Sequence, residues 1–161
     1  MARIAFVTGL PGVGKSSISG ALASLTGAVW LRIDTIEDAI KASLLAPEDV
    51  VDAGYRVAAA QASHLLAQGR DVIVDCVNED DRGRDLYANL LKEALIVEIV
   101  CSDKALHEAR VTARHGSEPG TPDWPTVERR VWQDWSRPVL KIDSASLSIK
   151  AAAQRIASVW A

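Results

Sequence analysis

The segment at residues 9–16 constrains the fold more than any other part of the chain. Its sequence, GLPGVGKS, fits the phosphate-binding pattern G-x-x-x-x-G-K-S/T, and an apolar run at residues 4–7 comes directly before it. Residues 17–23 follow with the composition of a helix start. Glycines let such a loop curl its backbone N–H groups round a phosphate, while the positive end of the new helix faces the same anion. The segment therefore predicts a strand, a phosphate-binding loop and a helix in succession.

The same context predicts a nucleoside triphosphate site rather than a glycine-rich turn that only joins a strand to a helix. In loops of this pattern the lysine, here Lys15, reaches the β- and γ-phosphates, and the serine hydroxyl, here Ser16, binds Mg²⁺. The predicted nucleotide-binding residues of the loop are Gly9, Gly12, Val13, Gly14, Lys15, Ser16 and Ser17.

The composition is that of an ordinary globular protein, with 161 residues, 48% of them hydrophobic and 24% charged. We expect one domain over residues 1–161, since this length can bury a sizeable core. A net charge of −3 does not favour a nucleic acid or an anionic membrane as partner. No apolar run is long enough to span a bilayer, and Met1 leads straight into the first strand with no room for a signal peptide, so we expect a cytoplasmic protein.

The chain has two cysteines, Cys76 and Cys101, and each lies at the end of a predicted strand. We expect both to be unpaired thiols in a reducing compartment. No histidine lies beside either one at the spacing of a metal site, so the cysteines do not predict a zinc centre.

Strand and helix patterns alternate from one end of the chain to the other, which predicts a parallel sheet with helices on both faces. The predicted strands are 3–8, 28–33, 72–74, 96–100 and 139–143. The predicted helices are 14–25, one opened by Asp34 as N-cap with Glu37 at the capping-box position, 47–68, 80–93, 103–114, 126–136 and 146–160. Residues 115–125 contain two glycines and three prolines, and we predict a lid there.

Two aspartates follow predicted strands, and the carboxyl ends of parallel strands meet at the edge of a sheet where ligands bind. Asp75 follows the run VIV and has the form of a Walker B aspartate, which would hold Mg²⁺ opposite the Ser16 hydroxyl. Asp34 ends the second strand and is placed to take the proton of an attacking hydroxyl. The structural alternatives are a helix N-cap for Asp34 and a solvated turn residue for Asp75, and which of the two acts as base stays open.

Arginines lie on both sides of the predicted lid. Arg110 and Arg114 are one helical turn apart just before it, and we expect both to neutralise charge on a transferred phosphoryl group. Arg129, Arg130 and Arg137 lie on the far side, where solvated surface charge is the alternative. The predicted catalytic residues are Lys15, Asp34, Asp75, Arg110 and Arg114, with Ser16 and Asp75 at the metal and Arg110 also at the nucleotide.

Other polar and aromatic residues carry more than one interpretation. Asn78, Arg82 and Arg84 follow Asp75 and either meet an acceptor substrate or form a capped helix start with solvated charges. The tryptophans near the lid favour packing over a stacking platform, and the histidines form no triad or metal set. These residues are Trp124, Trp132, Trp135, His64, His107 and His115.

The loop at 9–16, the strand-end Asp34, the VIV run before Asp75 and the Arg110/Arg114 pair together resemble the small P-loop kinases, nearly from end to end of the chain. The chain is most similar to the predicted-kinase branch of the AAA-type ATPases. That branch looks similar to gluconate kinase, shikimate kinase, adenylylsulfate kinase and chloramphenicol phosphotransferase.

The resemblance implies an α/β P-loop NTPase fold, with a five-stranded parallel sheet in the order 2-3-1-4-5, helices on both faces, a lid and MgATP as donor. It also implies that Asp34 faces the acceptor hydroxyl and that Arg110 lies along the adenine and phosphates. The chain lacks the arginine-rich acceptor signature of shikimate kinase and the tandem Arg/Thr patterns of nucleoside monophosphate kinases, so the acceptor stays unnamed.

Three functions fit these observations. The first is a kinase that moves the γ-phosphoryl group of ATP to a hydroxyl of a small molecule such as a metabolite, sugar acid, nucleoside or antibiotic. The second, a polynucleotide 5′-hydroxyl kinase, needs a basic groove that the net charge disfavours. The third, a regulatory ATPase, needs Asp75 but no carboxylate facing an acceptor, so Asp34 discriminates between them. We expect a monomer or homodimer with no membrane partner.

Overall fold

The strands form one parallel sheet in the order β2-β3-β1-β4-β5, which confirms the predicted topology. A computed structural model describes residues 1–45 and 47–160, so positions 46 and 161 of the expected domain lie outside the described residues. The strands are β1 (Ile4–Thr8), β2 (Val29–Arg32), β3 (Val72–Asp75), β4 (Leu95–Val100) and β5 (Leu140–Asp143).

Helices cover both faces of the sheet. They are α1 (Lys15–Thr26), α2 (Ile33–Lys41), α3 (Ala53–Ala67), α4 (Asp81–Asp85), α5 (Ala88–Leu91), α6 (Lys104–Ser117), α7 (Trp124–Glu128) and α8 (Ile149–Trp160). One core contains Leu22 of α1 and Ile156 of α8, and the other contains Ala62 of α3 and Leu91 of α5. The sheet is therefore buried from both sides.

The central strand β1 is buried along its whole length, with no residue more than 5% exposed. Phe6 packs the edge of its ring against Tyr87, with ring centroids 4.8 Å apart. Because β1 lies between β3 and β4, the loop that follows it emerges in the middle of the carboxyl edge of the sheet. This position puts the glycine-rich loop within reach of both neighbouring strands.

The helix predicted over 126–136 is wrong in its extent, because α7 ends at Glu128 and the chain to 139 is irregular. Arg84 explains the difference. Its guanidinium donates to the carbonyls of Gln133 and Asp134 and lies 3.9 Å from the ring centre of Trp135. These carbonyls are thereby used in tertiary contacts instead of a helix, which overrides the local preference.

Further helix boundaries differ from the predictions. The helix predicted from 47 begins at Ala53, and the one predicted over 80–93 is divided into α4 and α5. Asp34 is not an N-cap, because β2 passes directly into α2 and Arg32 occupies the cap position. Residues 115–117 continue α6, so the irregular part of the predicted lid is the 118–123 segment.

Both cysteines are unpaired, as predicted, and Cys76 is buried. They follow β3 and β4, which β1 separates in the sheet. Among the described residues, no helix combines the length and the apolar composition that crossing a membrane requires.

An ion pair joins the beginnings of β1 and β3. The Asp71 carboxylate accepts hydrogen bonds from the Arg3 backbone N–H at 2.7 Å and from Arg3 Nε at 3.0 Å. These hydrogen bonds from Arg3 lower the pKa of Asp71 below its ordinary value of 3.8. The pair therefore stabilises the folded state above that pH and loses its effect as the pH falls through the folded-state pKa.

We expect Asp71→Asn to lower the free energy of unfolding by about 0.5–1 kcal/mol at pH 7, since the pair is partly exposed. Near pH 3 the difference from wild type should shrink, because the wild-type carboxyl then becomes protonated. Urea unfolding at both pH values measures it, with the exposed Asp85→Asn as control. A difference that is equal at both pH values would contradict the role of the ion pair.

Candidate active site

The loop between β1 and α1 needs glycine for both its conformation and its space. Gly9, Gly12 and Gly14 have φ angles of 141°, 81° and 99°, in a region that other residues rarely adopt. A Cβ atom on Gly9 would lie 2.3 Å from the carbonyl oxygen of Ile99, and one on Gly12 would lie 2.4 Å from a methyl carbon of Val111. The loop therefore rests directly on β4 and α6.

Lys15 folds back over this loop. Its Nζ donates a hydrogen bond to the carbonyl of Leu10 at 2.9 Å. Burial lowers the pKa of the Lys15 ammonium, while the nearby carboxylates of Asp75 and Asp34 act in the opposite direction. The loop thus holds a partly desolvated cation beside its backbone N–H groups, and such a site binds phosphate well.

Asp75 ends β3 and is buried, with 3% exposure, so it is not a solvated turn residue. Its Oδ2 atom has no hydrogen-bond partner among the described residues. Burial raises the pKa of Asp75, while Lys15 and the hydroxyl of Ser16 oppose this shift.

The oxygens of Asp75 and Ser16 suit Mg²⁺, a hard cation that takes few protein ligands beside phosphate oxygens and water. Within residues 1–45 and 47–160, no cluster of three or more His, Cys, Asp or Glu side chains forms a self-contained metal site. The residues present therefore fit a metal that is held partly by a bound phosphate.

Asp34 lies in the first turn of α2 and accepts hydrogen bonds from two arginines. The Nη2 atoms of Arg32 and Arg114 are each 3.3 Å from its Oδ2. Arg114 also donates to Glu118 through Nε at 2.8 Å. A chain of alternating charges therefore connects the end of β2 with the end of α6.

Arg110 and Arg114 point to different places although they are one turn apart on α6. Arg114 lines the same cleft as Lys15 and Asp34. Arg110 donates to the hydroxyl of Ser144 at 2.9 Å, and Ser144 in turn lies near Gly14. The sequence predicted a shared task at the transferred phosphoryl group, whereas in the structure only Arg114 lies in the cleft.

The cleft has a volume of about 1130 Å³ and lies beside the glycine-rich loop, between α2, the residues after β3 and the 118–123 segment. Its charged lining residues are Lys15, Arg32, Asp34, Glu37, Asp38, Lys41, Asp52, Glu79, Asp80, Arg82, Arg114, Glu118 and Arg130. Acidic and basic groups both line it, so the cleft is polar without being a basic groove.

Arg84 and Arg137 do not face the cleft. Arg84 is buried and also donates to the carbonyls of Asn78 and Glu79. Neither interpretation left open for it holds, because it does not face the cleft and it is not a solvated charge. Arg137 binds the carbonyl of Leu91. Arg82 and Arg130 line the cleft, and Arg129 is exposed.

Two residues that support the site were not predicted. His107 is buried, and its Nε2 donates to the carbonyl of Pro11 at 2.7 Å. Asp143 accepts from the backbone N–H of Ser102 at 3.0 Å and of Ala145 at 2.9 Å, and hydrogen bonds from Ser102 hold the pKa of Asp143 well below its usual range. The sequence signal for Asp143 was its place at the end of a strand, which it shares with Asp75.

A model of one protein family, described as an AAA domain, matches residues 4–139. The chain belongs to this AAA domain family. No curated protein matches the sequence of this family member.

Solved structures similar to this AAA domain protein include several kinases. A candidate kinase from Chloroflexus aurantiacus has a TM-score of 0.79 at 20% identity, over 98% of this chain and 97% of that chain. The APS kinase of Mycobacterium tuberculosis, solved with AMPPNP and APS, has a TM-score of 0.70 at 20% identity, over 98% and 96%. A gluconokinase from Sinorhizobium meliloti 1021 has a TM-score of 0.65 at 22% identity, over 99% and 93%. The chain therefore has the P-loop fold of these kinases.

We expect Lys15→Ala to weaken nucleotide binding at least about 10-fold and to reduce any phosphoryl transfer by about 10²–10³-fold. The melting temperature should not fall, because the substitution removes a desolvated ammonium from the folded state. Titration calorimetry with AMPPNP and thermal melting test both statements, with the exposed Lys150→Ala as control. Wild-type affinity in the Lys15→Ala protein would mean that the loop does not bind phosphates.

Proposed function

We propose that this protein is an ATP-dependent kinase that transfers the γ-phosphoryl group to a hydroxyl of a small molecule. The observation that carries the proposal is the meeting of Lys15 and the Asp34 carboxylate in one cleft, directly beside the glycine-rich loop. A phosphate-binding cation and a proton acceptor on either side of a cleft are what phosphoryl transfer to a hydroxyl needs.

The nucleotide is the donor in this proposal. The APS kinase of similar fold was solved with AMPPNP, and the loop here fits the phosphate-binding pattern. The backbone of residues 9–14 and the Lys15 ammonium would bind phosphate oxygens, and Ser16 and Asp75 would hold Mg²⁺. The bound metal would shield the negative charge of the phosphates.

Asp34 is the proton acceptor. It lies in the first turn of α2, half-exposed to the cleft, where the hydroxyl of an acceptor can donate to it. Arg32 keeps the carboxylate oriented through its 3.3 Å contact. A carboxylate in this position holds the hydroxyl for attack and takes its proton as the new bond forms.

Arg114 exchanges partners in the catalytic cycle. Its contact with Asp34 is long, and a triphosphate carries more negative charge than one carboxylate. A γ-phosphate beside Lys15 would therefore compete for the guanidinium, which would release one lone pair of Asp34 for the acceptor hydroxyl. Arg114 then neutralises charge on the transferred group.

The 118–123 segment is the lid in this proposal. Gly120 in it has a φ of 87°, and Glu118 at its start is joined to Arg114. Movement of Arg114 toward a phosphate would pull this segment over the cleft and exclude water.

The single domain, the cytoplasmic location and the monomeric or homodimeric state stay predictions.

We expect Asp34→Asn to leave AMPPNP affinity within about 3-fold of wild type and to reduce phosphoryl transfer by about 10²–10⁴-fold, since a general base is lost. ADP release with MgATP and a panel of hydroxylated metabolites measures transfer. Asp85→Asn, at an exposed position outside the cleft, is the matched control.

Normal transfer by the Asp34→Asn enzyme would overturn the assignment of the base and make Asp75 the better candidate. ATP turnover that needs no acceptor and is insensitive to Asp34→Asn would instead favour a regulatory ATPase. Preferred phosphorylation of an oligonucleotide 5′-hydroxyl would favour a polynucleotide kinase.

A further inference from the structure

Asn78 is a buried residue of the cleft whose side chain has no use within the fold. It is 1% exposed and lines the cleft beside Tyr55 and Gly83. Neither its side-chain oxygen nor its side-chain nitrogen has a hydrogen-bond partner in the described part of the chain. Buried polar groups are nearly always paired, so an amide without a partner at the wall of a cleft points to a ligand.

The backbone of Asn78 has a conformation that few residues other than glycine, asparagine and aspartate adopt. Its φ angle is 51°, in the left-handed region, and Arg84 Nε donates to its carbonyl at 3.1 Å. Arg84 is itself fixed by stacking on Trp135. The left-handed backbone and the contact with the buried Arg84 together hold the Asn78 amide at the wall of the cleft.

Glu37 offers a second unpaired group to the same cleft. It lies one helical turn after Asp34 on α2, so both side chains are on one face of the helix. Its chain packs closely on Gly54, where a Cβ atom would lie 2.5 Å from Glu37 Cγ. Within residues 1–45 and 47–160, its carboxylate has no partner close enough for a hydrogen bond or an ion pair. The carboxylates of Asp34, Glu79 and Asp80, in contrast, each form an ion pair with an arginine.

The arginines of the cleft already have carboxylate partners. Arg32 and Arg114 bind Asp34, and Arg82 binds Asp80. Arg130 likewise binds Glu79 at 3.1 Å. A carboxylate or phosphate group on an acceptor would have to displace one of these partners, whereas hydroxyl groups would not. The remaining cation of this part of the cleft, Lys41, is exposed at the end of α2.

We propose that Asn78 and Glu37 form the acceptor subsite, and that the acceptor is an uncharged polyhydroxyl compound such as a sugar or sugar alcohol. An amide both donates and accepts, so Asn78 pairs with a hydroxyl in either role, while Glu37 accepts from a second. A third hydroxyl reaches Asp34. This inference rests on the proposed kinase function and names the substrate class of the same site.

The transfer step balances without a further reactant. The third hydroxyl gives its proton to the Asp34 carboxylate, and its oxygen forms a bond to the γ-phosphorus. The bond from the γ-phosphorus to the oxygen that bridges it to the β-phosphorus breaks, and ADP leaves with that electron pair. Asn78 and Glu37 take no part in these bond changes, so their task is to position the acceptor.

Paired acceptors test the substrate class. Glucose and glucitol are compared with gluconate, and galactose with galacturonate, as acceptors with MgATP, by ADP release. We expect the uncharged member of each pair to have a kcat/KM at least about 10-fold higher. A higher kcat/KM for the acids would overturn the inference and leave the kinase proposal standing. Failure of every compound to be phosphorylated, with ATP turnover insensitive to Asp34→Asn, would overturn both.

Variants of the two residues test the subsite. Asn78→Asp keeps the size and the tolerance of a positive φ but loses both N–H donors, and Asn78→Gly removes the amide without strain. We expect each of Asn78→Asp, Asn78→Gly and Glu37→Gln to raise the KM for the best uncharged acceptor about 10-fold. The kcat and the KM for ATP should change less than about 2-fold, because these residues position the acceptor only. The exposed Asn89→Ala and Glu93→Gln are the controls. An unchanged acceptor KM in folded Asn78 and Glu37 variants would overturn the subsite.

Discussion

The left-handed turn of the backbone between β1 and α1 is the constraint on which the rest of the structure depends. Gly9 and Gly12 let the chain approach the Ile99 carbonyl of β4 and the Val111 side chain of α6 closer than any other residue would. The turn therefore packs directly against β4 and α6. Lys15 lies at the end of this loop and the buried Asp75 at the end of the neighbouring strand β3, and the proposed catalytic roles are assigned relative to these two residues.

Much of the fold follows from local patterns and was open to prediction from the sequence. A strand buried on both faces is a continuous apolar run, as in the VIV segment before Asp75, and residues at the ends of parallel strands meet at one edge. Prediction failed where a distant residue decides the conformation. The residues after Glu128 have a helical composition, but Arg84 binds their carbonyls from far earlier in the chain. No local pattern contains that information.

The candidate site divides in the same way. The loop residues and the two aspartates were identifiable because motif and strand end determine where they lie. The different positions of the Arg110 and Arg114 side chains could not be predicted, because they depend on which partner each guanidinium contacts in the folded structure. Likewise, only the folded chain distinguishes the unpartnered amide of Asn78 from the surface asparagine at position 89. Sequence patterns indicate which side chains lie near the carboxyl edge of the sheet. Only the folded structure shows which of these side chains already have hydrogen-bond partners and which are free to bind a ligand.

The separation of Arg110 from Arg114 on α6 also bears on how such proteins diverge. In the proposed function, the nucleotide side of the site consists of β1, α1 and the residue after β5, whereas the acceptor side consists of α2 and the residues after β3. With this arrangement, substitutions in α2 or after β3 would change the proposed acceptor subsite and leave the glycine-rich loop unchanged. One ancestral fold can in this way acquire new substrates through successive substitutions, since each variant along the way keeps the loop that would bind the phosphate donor.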